Sequence, residues 1–150
     1  MSGTIKDRLA ADIKAAMKAG EKGKLGALRL IAAAIKQFEV DNRSAVDDAR
    51  AIDILTRMGK QRRESISQFD GAGRDDLATQ ERFELDLIAG YLPAQLDSAA
   101  IEQHVDAAIA AAGATGPRDM GKVMAVLNAE LKGRADMGAV SSLVKARLSG

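Results

Sequence analysis

The sequence has no cysteine and no tryptophan, only two prolines, and 3% aromatic residues. Without thiols there is no disulfide, no thiolate nucleophile and no zinc–thiolate site, and the composition fits a reducing compartment, taken here as the cytoplasm. So few aromatics leave little surface on which splayed bases could stack, which argues against a single-strand nucleic-acid platform. β-Branched runs are nearly absent while alanine, leucine and arginine abound, so the composition is all-α. The longest apolar stretches, Leu30–Ile35 and Ala107–Ala112, fall far short of the roughly 20 residues that a membrane-spanning helix needs. The charged start, Met1-Ser-Gly-Thr-Ile-Lys-Asp7, does not read as a signal peptide. No membrane role is expected.

At 150 residues the chain is long enough to bury a real core. Its net charge is only +1, but the charge is unevenly placed. Residues 1–63 hold 14 basic and 8 acidic side chains, residues 64–117 hold 2 and 10, and residues 118–150 hold 6 and 3. A basic–acidic–basic layout permits an anionic partner at either end, and it equally permits internal pairing alone.

Helical spacing organises the chain. Thr4-Ile-Lys-Asp7 has the form of a capping box, and Ile5, Leu9, Ile13 and Met17 then repeat on one face until Gly20. Gly20-x-x-Gly23-x-x-Gly26 reads as a flexible basic link, since no strand precedes it and the phosphate-loop spacing is missing. Leu28, Ile31, Ile35 and Phe38 carry a second helix, and Ser44-Ala-Val-Asp47 signals the start of a third that runs to about Phe69. The stripe Ile52, Leu55, Gly59, Arg62, Ile66, Phe69 is apolar at both ends and broken in the middle. Either Arg62 is paired beneath the surface, or the helix crosses a cleft or leaves the core there; the plainest reading is that its stem covers the core while its charge stays in water.

After the turn Asp70-Gly-Ala-Gly-Arg74, the residues Leu77, Glu81, Leu85, Ile88 and Leu92 mark a fourth helix closed by Gly90 and Pro93. An antiparallel hairpin about Ala72 brings Arg62 and Arg63 level with Glu81, Glu84 and Asp86, a candidate ion-pair cleft. Pro93-Ala-Gln-Leu-Asp-Ser98 reads as a domain boundary, because proline disfavours helix before it and Asp97 or Ser98 can cap the next helix. The expected architecture is an N-terminal domain of about four helices over 1–94 and a small three-helix domain over 97–150. In the latter, Gly116-Pro-Arg-Asp119 starts the middle helix and Lys132-Gly-Arg-Ala-Asp136 forms a basic turn.

Catalytic chemistry is thin. His104, the single histidine, has no nucleophile beside it, and Ser142-x-x-Lys145 lacks every companion motif of the serine–lysine acyl enzymes. No His/Asp/Glu grouping has metal-ligand spacing. No catalytic residue, metal or cofactor is assigned. The basic groups Lys14, Lys18, Lys22 and Lys24, and again Arg118, Lys122, Lys132, Arg134 and Lys145, could neutralise phosphates. They could equally be solvated helix faces.

Three segments together resemble one family: Lys60-Gln-Arg-Arg-Glu-Ser-Ile66 with Phe69; Glu84-Leu-Asp-Leu-Ile-Ala-Gly-Tyr-Leu-Pro-Ala-Gln-Leu96; and Met120-Gly-Lys-Val-Met124 with Lys132-Gly-Arg-Ala-Asp136. In order and spacing they are similar to the YqeY-like proteins of the GatB/YqeY family, related to the tail domain of the GatB component of tRNA-dependent amidotransferase. The resemblance implies an all-helical protein with a small C-terminal helical domain that helps to hold tRNA. On that analogy Lys122, Lys132, Gly133 and Arg134 are the nucleic-acid-binding residues. The implied partners are tRNA and an amidotransferase or aminoacyl-tRNA synthetase. Many relatives read Ala-Asp-Gly-Lys after the turn, whereas Ala135-Asp-Met-Gly-Ala139 stands here. The resemblance associates the chain with carbon–nitrogen ligation that uses glutamine as amido donor. This chain has neither the catalytic cradle nor an amidase signature, so the expectation is a module that is not catalytic alone. The rival reading is a protein–protein adaptor with no nucleic-acid role.

Overall fold

The computed structural model describes residues 4–149, and those residues form helices with no strand among them. They divide into two compact units, one ending at Leu92 and the other beginning at Pro93.

The first unit holds four helices, α1 (Ile5–Ala19), α2 (Lys22–Asn42), α3 (Asp48–Gly71) and α4 (Asp75–Ala89). Thr4 and Asp7 form the reciprocal capping box, and Gly20 ends α1 in the left-handed region at φ 71°. A further tie closes the same corner. The Ile5 amide donates to Asp48 Oδ1 at 2.9 Å, so the first residue of α3 also caps α1. Lys6 Nζ donates to Glu39 Oε2 at 2.6 Å, and the Val46 amide donates to that same oxygen at 2.8 Å. One carboxylate therefore joins α1, α2 and the connection into α3.

The core of this unit gathers Ile5, Leu9, Leu28, Ile31, Ile35, Val46, Leu55, Met58, Ile88 and Tyr91. The i, i+3, i+7 spacing of Leu28, Ile31 and Ile35 on α2 explains why all three are nearly inaccessible. α3 and α4 fold back on each other as an antiparallel hairpin, in which the position of a Gly59 Cβ lies 3.6 Å from Leu85 Cδ1 and 3.9 Å from Ile88 Cγ2. Alanine at Gly59 would meet ordinary contact distances, so the glycine marks a close approach of helices rather than a steric necessity.

The second unit packs α5 (Ser98–Ala112), α6 (Met120–Leu131) and α7 (Met137–Ser149) around Val105, Val123, Leu127, Leu131, Val140, Val144 and Leu148. Asp97 caps α5 by accepting from the Ala100 amide at 2.8 Å. The segment before α5 is held by its own unit: Leu96 N donates to Arg134 O at 2.9 Å and Gln95 Nε2 to Gly133 O at 2.6 Å.

Several sequence expectations are corrected. Gly23 and Gly26 are not in a link, because α2 begins at Lys22 and only Gly20 and Glu21 lie between α1 and α2. α3 is capped by Asp47, whose side chain accepts from the Arg50 amide, rather than opened by Ser44. Gly116-Pro-Arg-Asp119 leads into α6 through a short 3₁₀ turn, Pro117–Asp119. Met17 and Leu77, placed on buried stripes by spacing, are 54% and 36% exposed. Each lies near a helix end, where the stripe runs past the packed neighbour.

A fragment spanning 93–150 should fold alone, because its apolar cluster is drawn entirely from its own helices. Circular dichroism should show helix and a cooperative melt, and a non-cooperative fragment would refute the independence of the unit. Acid should act on the first unit through Glu39. Hydrogen bonds from Lys6 and from the Val46 amide hold this carboxyl below its ordinary value of 4.5. Its contribution is therefore complete above the unfolded value and lost as pH falls through the lowered folded value. Glu39→Gln should be less stable at neutral pH, and the two proteins should converge in thermal midpoint as pH falls below the ordinary carboxylate value and protonates Glu39.

Candidate functional site

The sequence singles out two groups of side chains, and each lies within one unit. In the α3–α4 hairpin, Arg62 Nε stands 2.8 Å from Glu84 Oε2 and 3.4 Å from Glu81 Oε2. The Arg62 and Glu84 side chains are 20% and 13% exposed, so the pair is partly dehydrated. Both contacts are close enough for ion pairing, but neither is aligned as a hydrogen bond: Arg62 Nε and Glu81 Oε2 are buried without a hydrogen-bond partner. Proximity of charge, rather than a bidentate fork, holds this cluster together. Gln80 Nε2 donates to the other oxygen of Glu84 in a long contact of 3.4 Å.

The cleft expected from the sequence is thus only partly assembled. Arg63, one residue along the helix from Arg62, is exposed and makes no ion pair with these carboxylates among the described residues. Asp86 is also exposed, and it lines a different depression, an open cleft of about 190 Å³ between α1, α2 and α4. There Arg8 Nη2 donates to Gly90 O at 3.0 Å and its guanidinium lies 5.1 Å from the centre of the Tyr91 ring. The Tyr91 hydroxyl donates to Asp12. Burial, and next the neighbouring Asp12 carboxylate, push the phenol pKa well above its ordinary value, so Tyr91 remains a donor. Arg8 and Asp12, one helical turn apart on α1, thereby clamp the end of α4. No local pattern reveals this contact, because its partners stand about 80 positions away in the chain.

In the second unit, the residues assigned by resemblance to nucleic-acid binding occupy the two ends of α6. Lys122 is 73% exposed near the start and has a loose contact of 3.9 Å with Asp119. Lys132 is exposed at the far end, ten residues on, or about 15 Å along the axis. Gly133 is buried at φ 77°, a conformation that favours glycine. With its carbonyl bonded to Gln95, this residue serves the turn itself rather than baring backbone to a ligand. Arg134 is half-buried, not exposed as its place in a basic turn suggests, and its carbonyl accepts from Leu96.

Electrostatics at the helix starts matter too. The first turn of α7 is not open to an anion, because Asp136 Oδ1 already accepts from the Gly138 amide at 3.0 Å. Asp119, before α6, accepts from the Thr115 amide at 2.9 Å, which is the leading cause of its lowered pKa. Among the described residues no group of histidine, aspartate and glutamate is arranged to hold a metal ion. His104 Nδ1 lies 3.2 Å from Glu130, an α5–α6 contact at the surface.

The ion-pair geometry makes a testable demand. Arg62→Ala should cost about 1–3 kcal/mol by leaving partly buried carboxylates without a cation. In double-mutant cycles by chemical denaturation, coupling should be larger with Glu84 than with Glu81, and absent with Asp86.

The family described as Yqey-like protein matches residues 6–148. Among curated proteins, the "Altered inheritance of mitochondria protein 41, mitochondrial" of Eremothecium gossypii is 42% identical over 84 residues, 55% of this chain and 46% of that protein. The protein of the same name from Candida glabrata is 36% identical over 92 residues, 60% of this chain and 48% of that protein. That of Pyrenophora tritici-repentis is 31% identical over 131 residues, 85% and 71%. The matched segment thus spans about half the length of the first two relatives. All three are named as mitochondrial proteins, which overturns the cytoplasmic location expected from the composition. A lack of cysteine suits any reducing compartment and singles out none. With nearly its whole length matched, and with the three motif segments inside the matched span, the chain belongs to the YqeY-like protein family.

Proposed function

We propose that this chain is a non-catalytic helical module that holds tRNA by its backbone and assists an amidotransferase acting on aminoacyl-tRNA. The observation that carries the reading is the exposure of Lys122 and Lys132 at opposite ends of α6, in the segment that resembles the amidotransferase tail. Two cations about 15 Å apart along a helix can reach phosphates several nucleotides from one another. With stacking surfaces scarce and the start of α7 occupied by Asp136, contact is to phosphates and to the shape of the RNA rather than to bases. The carbon–nitrogen ligase chemistry of the wider family belongs, on this reading, to the partner.

A protein–protein adaptor is the second reading. It is favoured by charge balance: residues 93–149 hold 6 basic and 6 acidic side chains. Several of them pair across the unit, as Arg147 does with Glu102 and Asp106.

Electrophoretic shift and fluorescence titration with total tRNA at several salt concentrations separate the two readings. Wild type should bind in a salt-sensitive way. Replacing Lys122, Lys132 and Arg134 with alanine should weaken binding by a similar factor for different tRNAs, because phosphate contacts carry little sequence information. Removing each cation that touches a phosphate should flatten the slope of log affinity against log salt by roughly 0.7 to 0.9. Arg134, being half-buried, should contribute least. Unchanged affinity and slope in the triple variant, or no salt-sensitive binding by wild type, would leave the adaptor reading.

A further inference from the structure

The outer face of the α1–α2 pair carries a groove that neither the ion-pair cluster nor the α6 cations explain. Leu9, Ala10 and Ile13 of α1 and Ala32 and Ile35 of α2 form its apolar lining, around a volume of about 210 Å³. Both helices continue the same stripe beyond it. On α1, helical spacing sets Lys6, Ala10, Ile13 and Met17 in one row, and on α2 it does the same for Arg29, Ala32, Lys36 and Val40. Because Lys6 meets Glu39, the rows run antiparallel, with Met17 toward one end and Val40 toward the other. These two residues, 54% and 59% exposed, are among the largest apolar surfaces that the protein leaves in water.

Basic residues stand beside the lining, which itself includes Lys6 and Lys36. Lys14, one turn after Ala10, and Arg29, one turn before Ala32, flank it by helical spacing; both are exposed and make no ion pair among the described residues. Lys36 acts electrostatically on Glu39, the one carboxylate lining the groove, whose charge is already taken up by Lys6 and the Val46 amide. Small side chains in the middle, apolar ends and cationic edges make a seat for a ridge that is apolar along its crest and acidic along its flanks. The row from Lys6 to Met17 spans about 16 Å, three turns of helix.

From this we infer that the α1–α2 groove docks an amphipathic helix of a partner protein, with apolar anchors at i, i+3, i+4 and i+7 and acidic residues beside them. Charge complementarity selects an acidic helix over a basic one. Concavity selects a helix over a lipid surface, since membrane contact calls for an apolar face that projects into the bilayer boundary. The site lies wholly in the first unit, so its fate in experiment is separate from that of the α6 cations.

The test uses the full chain and two fluorescent synthetic peptides of about four helical turns. Both carry leucine at the anchor positions, one with glutamate on its flanks and the other with lysine. The glutamate peptide should bind at least about tenfold more tightly, and more weakly as salt rises. Lys14→Glu combined with Arg29→Glu, both at exposed rim positions, should abolish or reverse that preference. Ala10→Glu, also exposed, should block the groove, with circular dichroism confirming that each variant is folded. Equal binding of the two peptides, binding of neither, or a preference untouched by the rim reversal would overturn the inference. So would association with phosphatidylserine-rich vesicles in place of the peptide, or self-association in sedimentation that Ala10→Glu removes, each of which names another occupant.

Discussion

Glu39 ties together three parts of the first unit. Its carboxylate takes a hydrogen bond from Lys6 on α1 and another from the Val46 amide ahead of α3, while its own backbone lies in α2. Asp48 works beside it, closing the first amide of α1 from the start of α3. Helix ends leave amides and carbonyls without intrahelical partners, and these must be met locally or by a neighbour. Local caps at Thr4 and Asp47 meet some of them, and the Asp48 carboxylate meets the Ile5 amide from another helix. At the other side of α1, Arg8 and Asp12 do the same for the last turn of α4 and for Tyr91. α1 is therefore tied by polar contacts to α2, to α3 and to the residues that end α4, although its own buried set is small: Ile5, Leu9 and Ala16.

This division between apolar spacing and polar ties explains what is legible in the sequence. Composition yields the all-α fold, and periodicity yields the buried face of α2, because Leu28, Ile31 and Ile35 share one stripe. Arg62 stands out as an anomaly on its stripe, and the hairpin turn fixes which acidic residues can reach it. Periodicity does not say where a stripe stops being covered, and so it misplaces Met17 and Leu77. Nor does it identify ties between distant positions. Tyr91–Asp12 and Ile5–Asp48 depend on how helices cross, which no local pattern encodes. Gly133 misleads for a related reason: a glycine in a basic turn suggests room for a ligand, while its positive φ and bonded carbonyl serve the turn.

The two units use charge differently. In the first, Arg62 sits among partly buried carboxylates without hydrogen-bond alignment, so its position is specified by packing of the hairpin and its attraction is broad in direction. In the second, charges lie mostly at the surface, where pairing contributes little to stability and leaves side chains free to rearrange around a partner. The phosphate contacts proposed above would draw on that freedom. The groove on α1 and α2 suits the opposite task, since its shape and its alanines restrict what can enter.

The carboxylate before α6 has one more consequence. Asp119, like Glu39, is held below its ordinary pKa by hydrogen bonds from backbone or side-chain donors that favour its charged form. The two residues anchor helix junctions in separate units, and each loses its hold as acid neutralises it. Acid thus loosens a junction in each unit rather than in one alone. Denaturant and heat act instead on the size and packing of the two separate apolar clusters.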